Sequence, residues 1–176
     1  MSKKNWRNVK HFPHQWSNRT RIAADLIGNT WSVVEFGAGE GFLGKILSHE
    51  SFYLPTDLIK RKDNFEIVNL DHPLNLNRKF DVGVAMGVLE YLNDLNFSLQ
   101  EISRNVPNFI TTYCCAKYRF IRLKPLRRYI GWTNHLSETE FEKILGKAGF
   151  TISYKEMIER RFFYKQYIYK LVISHV

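Results

Sequence analysis

Three glycines at alternate positions, Gly37, Gly39 and Gly41, close a short apolar run over 33–36 that carries one acid, Glu35. Beyond them Phe42, Leu43, Ile46 and Leu47 recur at helical spacing. The pattern predicts a strand, a glycine turn and a helix over about 41–49. Missing side chains let the protein backbone lie directly against a polar ligand. A helix behind such a turn presents unpaired N–H groups suited to a carboxylate or phosphate. The plain alternative is a glycine-rich turn that holds nothing.

The rest of the chain alternates in the same way. A helix over 19–27 stops at Gly28 and Asn29, and strands follow at 31–36, 52–56 and 65–70, the last two leading to Asp57 and Asp71. Residues 80–86 read as a buried strand despite Gly83, with a short helix opening at Gly87 and another over 97–105. The β-branched and aromatic stretch 109–115 is a further strand. Ser137 and Glu140 form a capping box for a helix that turns Phe141, Ile144 and Leu145 inward and closes at Gly149. Strands over 150–156 and 165–175 end the chain. Seven strands interleaved with helices predict an α/β, doubly wound, mostly parallel seven-stranded sheet with helices on both faces. Ligands of such sheets bind at the strands' carboxyl ends, which gathers the glycine turn, Asp57, Asp71, Met86 and Cys114 to one edge.

A length of 176 residues suits one domain with one core, here 19–176, preceded by a basic and aromatic arm over 1–18 that can serve as a lid. No apolar run follows the N-terminal charges, and no stretch reaches the length of a membrane span. Cys114 and Cys115 are adjacent, a spacing that fits neither a disulfide framework nor a metal knuckle, so a reducing cytoplasmic location and no metal are expected. The net charge of +9 is unevenly spread. Lys3, Lys4, Arg7, Lys10, Arg19 and Arg21 precede the first acid, Asp25. Lys117, Arg119, Arg122, Lys124, Arg127 and Arg128 occupy an acid-free segment interleaved with Tyr118, Phe120, Tyr129 and Trp132. These charges form either a surface for an anionic partner or a solvated basic face.

Two registers of the glycines compete. Gly39, Gly41 and Gly44 match the spacing of a dinucleotide fingerprint, but that fingerprint places its first glycine directly after the strand. Here Gly37 and Ala38 intervene, and counting from Gly37 puts Phe42 where the third glycine belongs. The acid-x-Gly-x-Gly-x-Gly run from Glu35 to Gly41 instead resembles motif I of the class I S-adenosylmethionine-dependent methyltransferases. Asp57, sixteen residues beyond Gly41, stands where nucleoside-binding α/β sheets place an acid for the vicinal ribose hydroxyls; its other reading is the cap of a helix starting at Leu58. The stretch 80–92 resembles the family's fourth motif, and the likeness extends from Arg19 onward. The resemblance implies an antiparallel last strand and S-adenosylmethionine as cofactor. It implies Glu35 near the methionine end, with Gly37, Ala38, Gly39, Gly41, Asp57, Leu58 and Met86 completing that part of the site. It also implies Asp71 on the adenine amino group with the backbone of His72 facing the ring, although Asp71 before Pro73 reads equally as a turn residue. The interval from Asp57 to Asp71 is shorter than the family's pattern.

Methyl transfer then needs an acceptor atom held in line with the departing sulfur, and a base if that atom is a hydroxyl oxygen. His135, Tyr91 and His14 are the candidate bases, each with an ordinary packing or turn role as its alternative. The chain lacks the Pro-Pro-Tyr segments of many amino-methylating enzymes and the Pro-Cys pair of cytosine-5 enzymes. A small-molecule or conjugated, anionic acceptor is therefore expected. The alternatives are a nucleic-acid-binding or RNA-modifying protein that uses the basic segments, and a nicotinamide-dependent oxidoreductase that uses the shifted glycine register. Oligomeric state is open.

Overall fold

The computed structural model describes residues 15–30, 32–47, 51–117, 128, 129 and 131–174. Seven strands, β1 (Ser32–Phe36), β2 (Phe52–Asp57), β3 (Glu66–Ile67), β4 (Val82–Ala85), β5 (Asn108–Ala116), β6 (Phe150–Arg160) and β7 (Tyr164–Ile173), form one sheet in the order β3-β2-β1-β4-β5-β7-β6. Pairing from β3 through β5 is parallel, and β7 runs antiparallel to both of its neighbours. The strand order reverses between β1 and β4, the point at which open α/β sheets leave a crevice beyond their carboxyl ends.

Side-chain alternation along β1 divides the core. Val34 and Phe36 pack on one face with Leu99 and Ile102 of α2 (Leu95–Asn105) and Phe141 and Leu145 of α3 (Glu138–Lys147). Val33 faces the other side with Ala23 and Ile27 of α1 (Gln15–Ile27). A period of two puts Glu35 on the α1 side, inside a fully buried strand. Sequence signals set the helix ends. Asp94 accepts from the Phe97 amide at 3.0 Å, and Ser137 and Glu140 form the expected capping box. Gly28, at φ +65, stops α1.

Three elements differ from expectation. The helix α1 starts at Gln15, four residues before the predicted 19, because its first turn is polar and reads as part of the arm. The helix expected over 41–49 does not form: only a 3-10 turn, Leu43–Lys45, is present, and 48–50 lie outside the described residues. Gly41 at φ +70 interrupts a helical start, and a Cβ on Gly44 would sit 2.4 Å from the ring of Tyr53. That close approach explains the glycine that mimics a dinucleotide fingerprint. Residues 65–70 yield only the two-residue β3, with Phe65 and Leu70 buried at either end. No helix forms at Leu58, so capping is not the role of Asp57. Residues 1–14 of the arm and 118–127 of the basic segment lie outside the described residues. Among those described, no helix is long and apolar enough to cross a membrane.

Gly83 sits in a buried strand because its Cα faces three side chains. A Cβ there would lie 2.9 Å from Val106 and 3.3 Å from both Phe109 and Phe36. Gly83→Ala should therefore cost roughly 1–3 kcal/mol through overpacking. Chemical denaturation measures the loss; an unchanged midpoint would contradict the packing.

Candidate active site

The carboxyl ends of β1, β2 and β4 converge on the glycine turn. Gly37, Gly39 and Gly41 all take positive φ, at 70°, 57° and 70°, which side-chain-bearing residues rarely adopt. The turn is tied to β2 by Ala38 N donating to Thr56 O at 2.9 Å, and by Gly39 N donating to Asp57 Oδ2 at 3.1 Å. A Cβ on Gly37 would meet Val88 at 2.6 Å, so the turn also packs against the segment after β4. Below it opens a cavity of about 390 Å³, a volume within the range of small-ligand sites.

Glu35, Gly37, Ala38, Gly39, Asp57, Leu58, Asp71 and Met86 all line this cavity. Gly41 does not; it packs toward the ring of Phe65 and shapes the turn. His72 is exposed and lines no part of it. The cavity also takes in residues with no motif of their own. Arg61 donates from Nε to Asp57 Oδ2 at 2.6 Å. Arg19, on α1, donates from Nη2 to Met86 O at 3.0 Å, and its guanidinium lies against Gly87, with Nη1 2.6 Å from where a Cβ would stand. The fourfold spacing of Asp57 and Arg61 is a charge-pair signal readable in sequence, whereas Arg19 reaches Met86 across 67 positions and carries none.

Each acid has a distinct setting. Asp57 accepts from Gly39 N, Leu58 N and Arg61 Nε, so both of its oxygens are engaged. Asp71 accepts from the backbone N and side-chain amide of Asn93. Glu35 is 4% exposed and accepts a short hydrogen bond from the Tyr53 hydroxyl. Burial pushes its carboxyl up to about 8, with Asp57 adding to the rise and Tyr53 and Arg19 opposing it.

A second cavity of about 500 Å³ adjoins the first and shares Arg19, Gly87 and Tyr91 with it. Burial, reinforced by the charge of Glu90, pushes the Tyr91 phenol well above its ordinary range. His135 lines neither cavity, and His14 lies outside the described residues. Among the described residues no group of His, Cys, Asp and Glu is arranged to hold a metal ion.

No protein-family model and no curated protein sequence matches the chain. Solved structures do. Magnesium protoporphyrin IX methyltransferase from Synechocystis PCC 6803, with bound SAH, superposes with a TM-score of 0.67 at 18% identity, over 97% of this chain and 92% of that one. An S-adenosylmethionine-dependent methyltransferase from Clostridium acetobutylicum ATCC 824 gives 0.68 at 14% identity, over 98% and 96%. The 1,6-didemethyltoxoflavin-N1-methyltransferase of Burkholderia thailandensis gives 0.71 at 15%, over 99% and 84%. The chain has the fold of these class I methyltransferases, with its mostly parallel seven-stranded sheet and antiparallel last strand.

The setting of Glu35 has a pH signature of its own. Its raised value means that the folded state holds this proton more firmly than the unfolded chain between about pH 4.5 and 8. Stability from this group therefore falls as pH rises through that window, by up to about 1.4 kcal/mol per pH unit. Thermal unfolding across pH 5–8 should show a smaller decline in Glu35→Gln than in the wild type. Parallel curves would contradict the buried, protonated carboxyl.

Proposed function

We propose that this protein is an S-adenosylmethionine-dependent methyltransferase that acts on a small-molecule or conjugated acceptor. One observation carries the reading: the glycine turn, Asp57 and the buried Glu35 share one cavity at the carboxyl ends of β1 and β2. The donor set suits the cofactor. Asp57 accepts from vicinal ribose hydroxyls. Glu35, a carboxyl held in low dielectric, gains a counter-charge from the methionine ammonium, which favours its ionised form. Asp71, already fixed by Asn93, lies at the adenine end. The left-handed turn that Gly37 and Gly39 permit brings bare backbone to the cavity wall, where the methionine portion would lie.

When bound, the cofactor supplies a methyl carbon already activated as a sulfonium. The protein's task is to bind, orient and exclude water. Arg19 and Gly87 stand between the two cavities, and the hydrogen bond from Arg19 to Met86 O keeps the end of β4 in place there. Close placement of the acceptor by such groups is the main source of acceleration for an electrophile of this kind. The net charge of +9 supports an acceptor that carries negative charge away from its reacting atom. The dinucleotide reading has less support, because the three-residue 3-10 turn after the glycines offers no helix N-terminus for a pyrophosphate.

Titration calorimetry with S-adenosylhomocysteine should show one site per chain. Asp57→Ala should weaken it at least about tenfold, since hydrogen bonds to a charged group contribute about 1.5–3 kcal/mol. A folded protein that binds neither S-adenosylhomocysteine nor S-adenosylmethionine, or that prefers NADH, would overturn the proposal.

A further inference from the structure

We propose that the second cavity is the acceptor site, and that it takes a planar aromatic ring whose O–H or N–H donates to Glu90 Oε2. The inference rests on the methyltransferase reading and extends it to the substrate.

Three observations converge. The first is position: because the cavity shares Arg19, Gly87 and Tyr91 with the cofactor cavity, a ring held in it abuts the contents of that cavity. The second is its wall. Trp132 meets Tyr164 edge to face at 5.5 Å and 72°, and Phe163 meets Tyr164 at 5.0 Å and 77°. Such a cluster offers ring faces and edges to a further aromatic ring. A volume of about 500 Å³ suits a small ring system.

The third is an unsatisfied acceptor. Glu90 is 1% exposed, and its Oε1 accepts from Cys114 N at 2.8 Å. Its Oε2 is buried and has no hydrogen-bond partner among the described residues. The bond from Cys114 N to Oε1 holds the side chain in this orientation, and Thr133 N, donating to the Glu90 main-chain oxygen at 2.8 Å, fixes the backbone that carries it. The other carboxylate of the cavity, Glu159, is engaged on both oxygens, by Arg161 Nε and by the Tyr164 hydroxyl, each at 2.7 Å. Buried polar atoms without partners are uncommon, since they forgo the hydrogen bond that water would give. An acceptor O–H or N–H supplies the missing donor at Glu90.

This arrangement also gives the proton a destination. As the acceptor oxygen or nitrogen bonds to the methyl carbon, the carbon–sulfur bond breaks with its electron pair left on sulfur. The acceptor's proton passes to Glu90 Oε2 and then to water. Glu90 thus takes the place of base that the sequence offered to His135, Tyr91 and His14.

The test uses 4-nitrophenol, whose phenolate is coloured, added to protein saturated with S-adenosylhomocysteine. Arg19 and Arg161 line the same cavity and act on the probe in both proteins, so the carboxylate shows as a difference: the bound phenol should keep its proton to a pH about one unit higher in the wild type than in Glu90→Gln, a tenfold change in ionisation. Glu90→Gln keeps an oxygen for Cys114 N and leaves Arg19, Tyr91, Cys114, Glu159, Arg161 and Tyr164 in place. It should remove that rise without changing the affinity for S-adenosylhomocysteine. Equal ionisation of the probe in both proteins would assign Glu90 a purely structural role and overturn the inference. So would failure of 4-nitrophenol to bind while S-adenosylhomocysteine binds; loss of S-adenosylhomocysteine binding itself would instead overturn the cofactor reading. If Glu90→Gln does not fold, Trp132→Leu should weaken the probe about tenfold through the lost ring contact, and unchanged affinity overturns the inference.

Discussion

The hydrogen bond from Gly39 N to Asp57 Oδ2, 3.1 Å long, joins two strand ends that adjacency in the sheet alone would leave as separate loops. It holds the glycine turn over β2 and fixes the Asp57 carboxylate toward the cavity. The adjacent bond from Ala38 N to Thr56 O doubles the tether. Three left-handed residues in five positions are tolerated only because all three are glycine. Once the turn is pinned, the carboxyl ends of β1, β2 and β4 must face one another, and the cavity follows from the sheet's order.

Beneath the turn the chain keeps a buried acid that a pure core would not. Glu35 could have been another valine in a strand buried throughout. Its carboxyl instead accepts from Tyr53, whose ring lies against the bare Cα of Gly44. Burial favours the protonated carboxyl and so disfavours the empty site at higher pH. A cationic ligand group reverses that preference. On the proposed function, the carboxyl whose burial costs stability as pH rises is the one that would receive the methionine ammonium. Glu90 shows the same logic in the adjoining cavity, with one oxygen committed to the fold and the other without a donor.

Much of this architecture was legible because its signals are periodic or stereochemical. Apolar runs, β-branched and aromatic content and alternation together located all seven strands, the Ser137–Glu140 capping box located α3, and the spacing of Glu35, the glycines and Asp57 located the first cavity. The expected helix over 41–49 had correct apolar spacing, yet the left-handed Gly41 and the approach of Gly44 to Tyr53 prevail over periodicity. Asp71 reaches the cavity although β3 is only two residues long, while His72 beside it turns to solvent. Arg19 and Glu90 carry no sequence signal of function. Each is defined by contacts 67 and 24 positions away, which only the folded sheet supplies.

A crystal structure of the protein grown with S-adenosylhomocysteine would show whether the glycine turn, Asp57 and Glu35 hold the cofactor. The ribose hydroxyls should lie on Asp57, with Arg61 displaced or sharing that carboxylate, and the amino group of the methionine portion on the side of Glu35. Ligand density away from the glycine turn, or an undisturbed Asp57–Arg61 pair with no ligand beside it, would rule out this cofactor site.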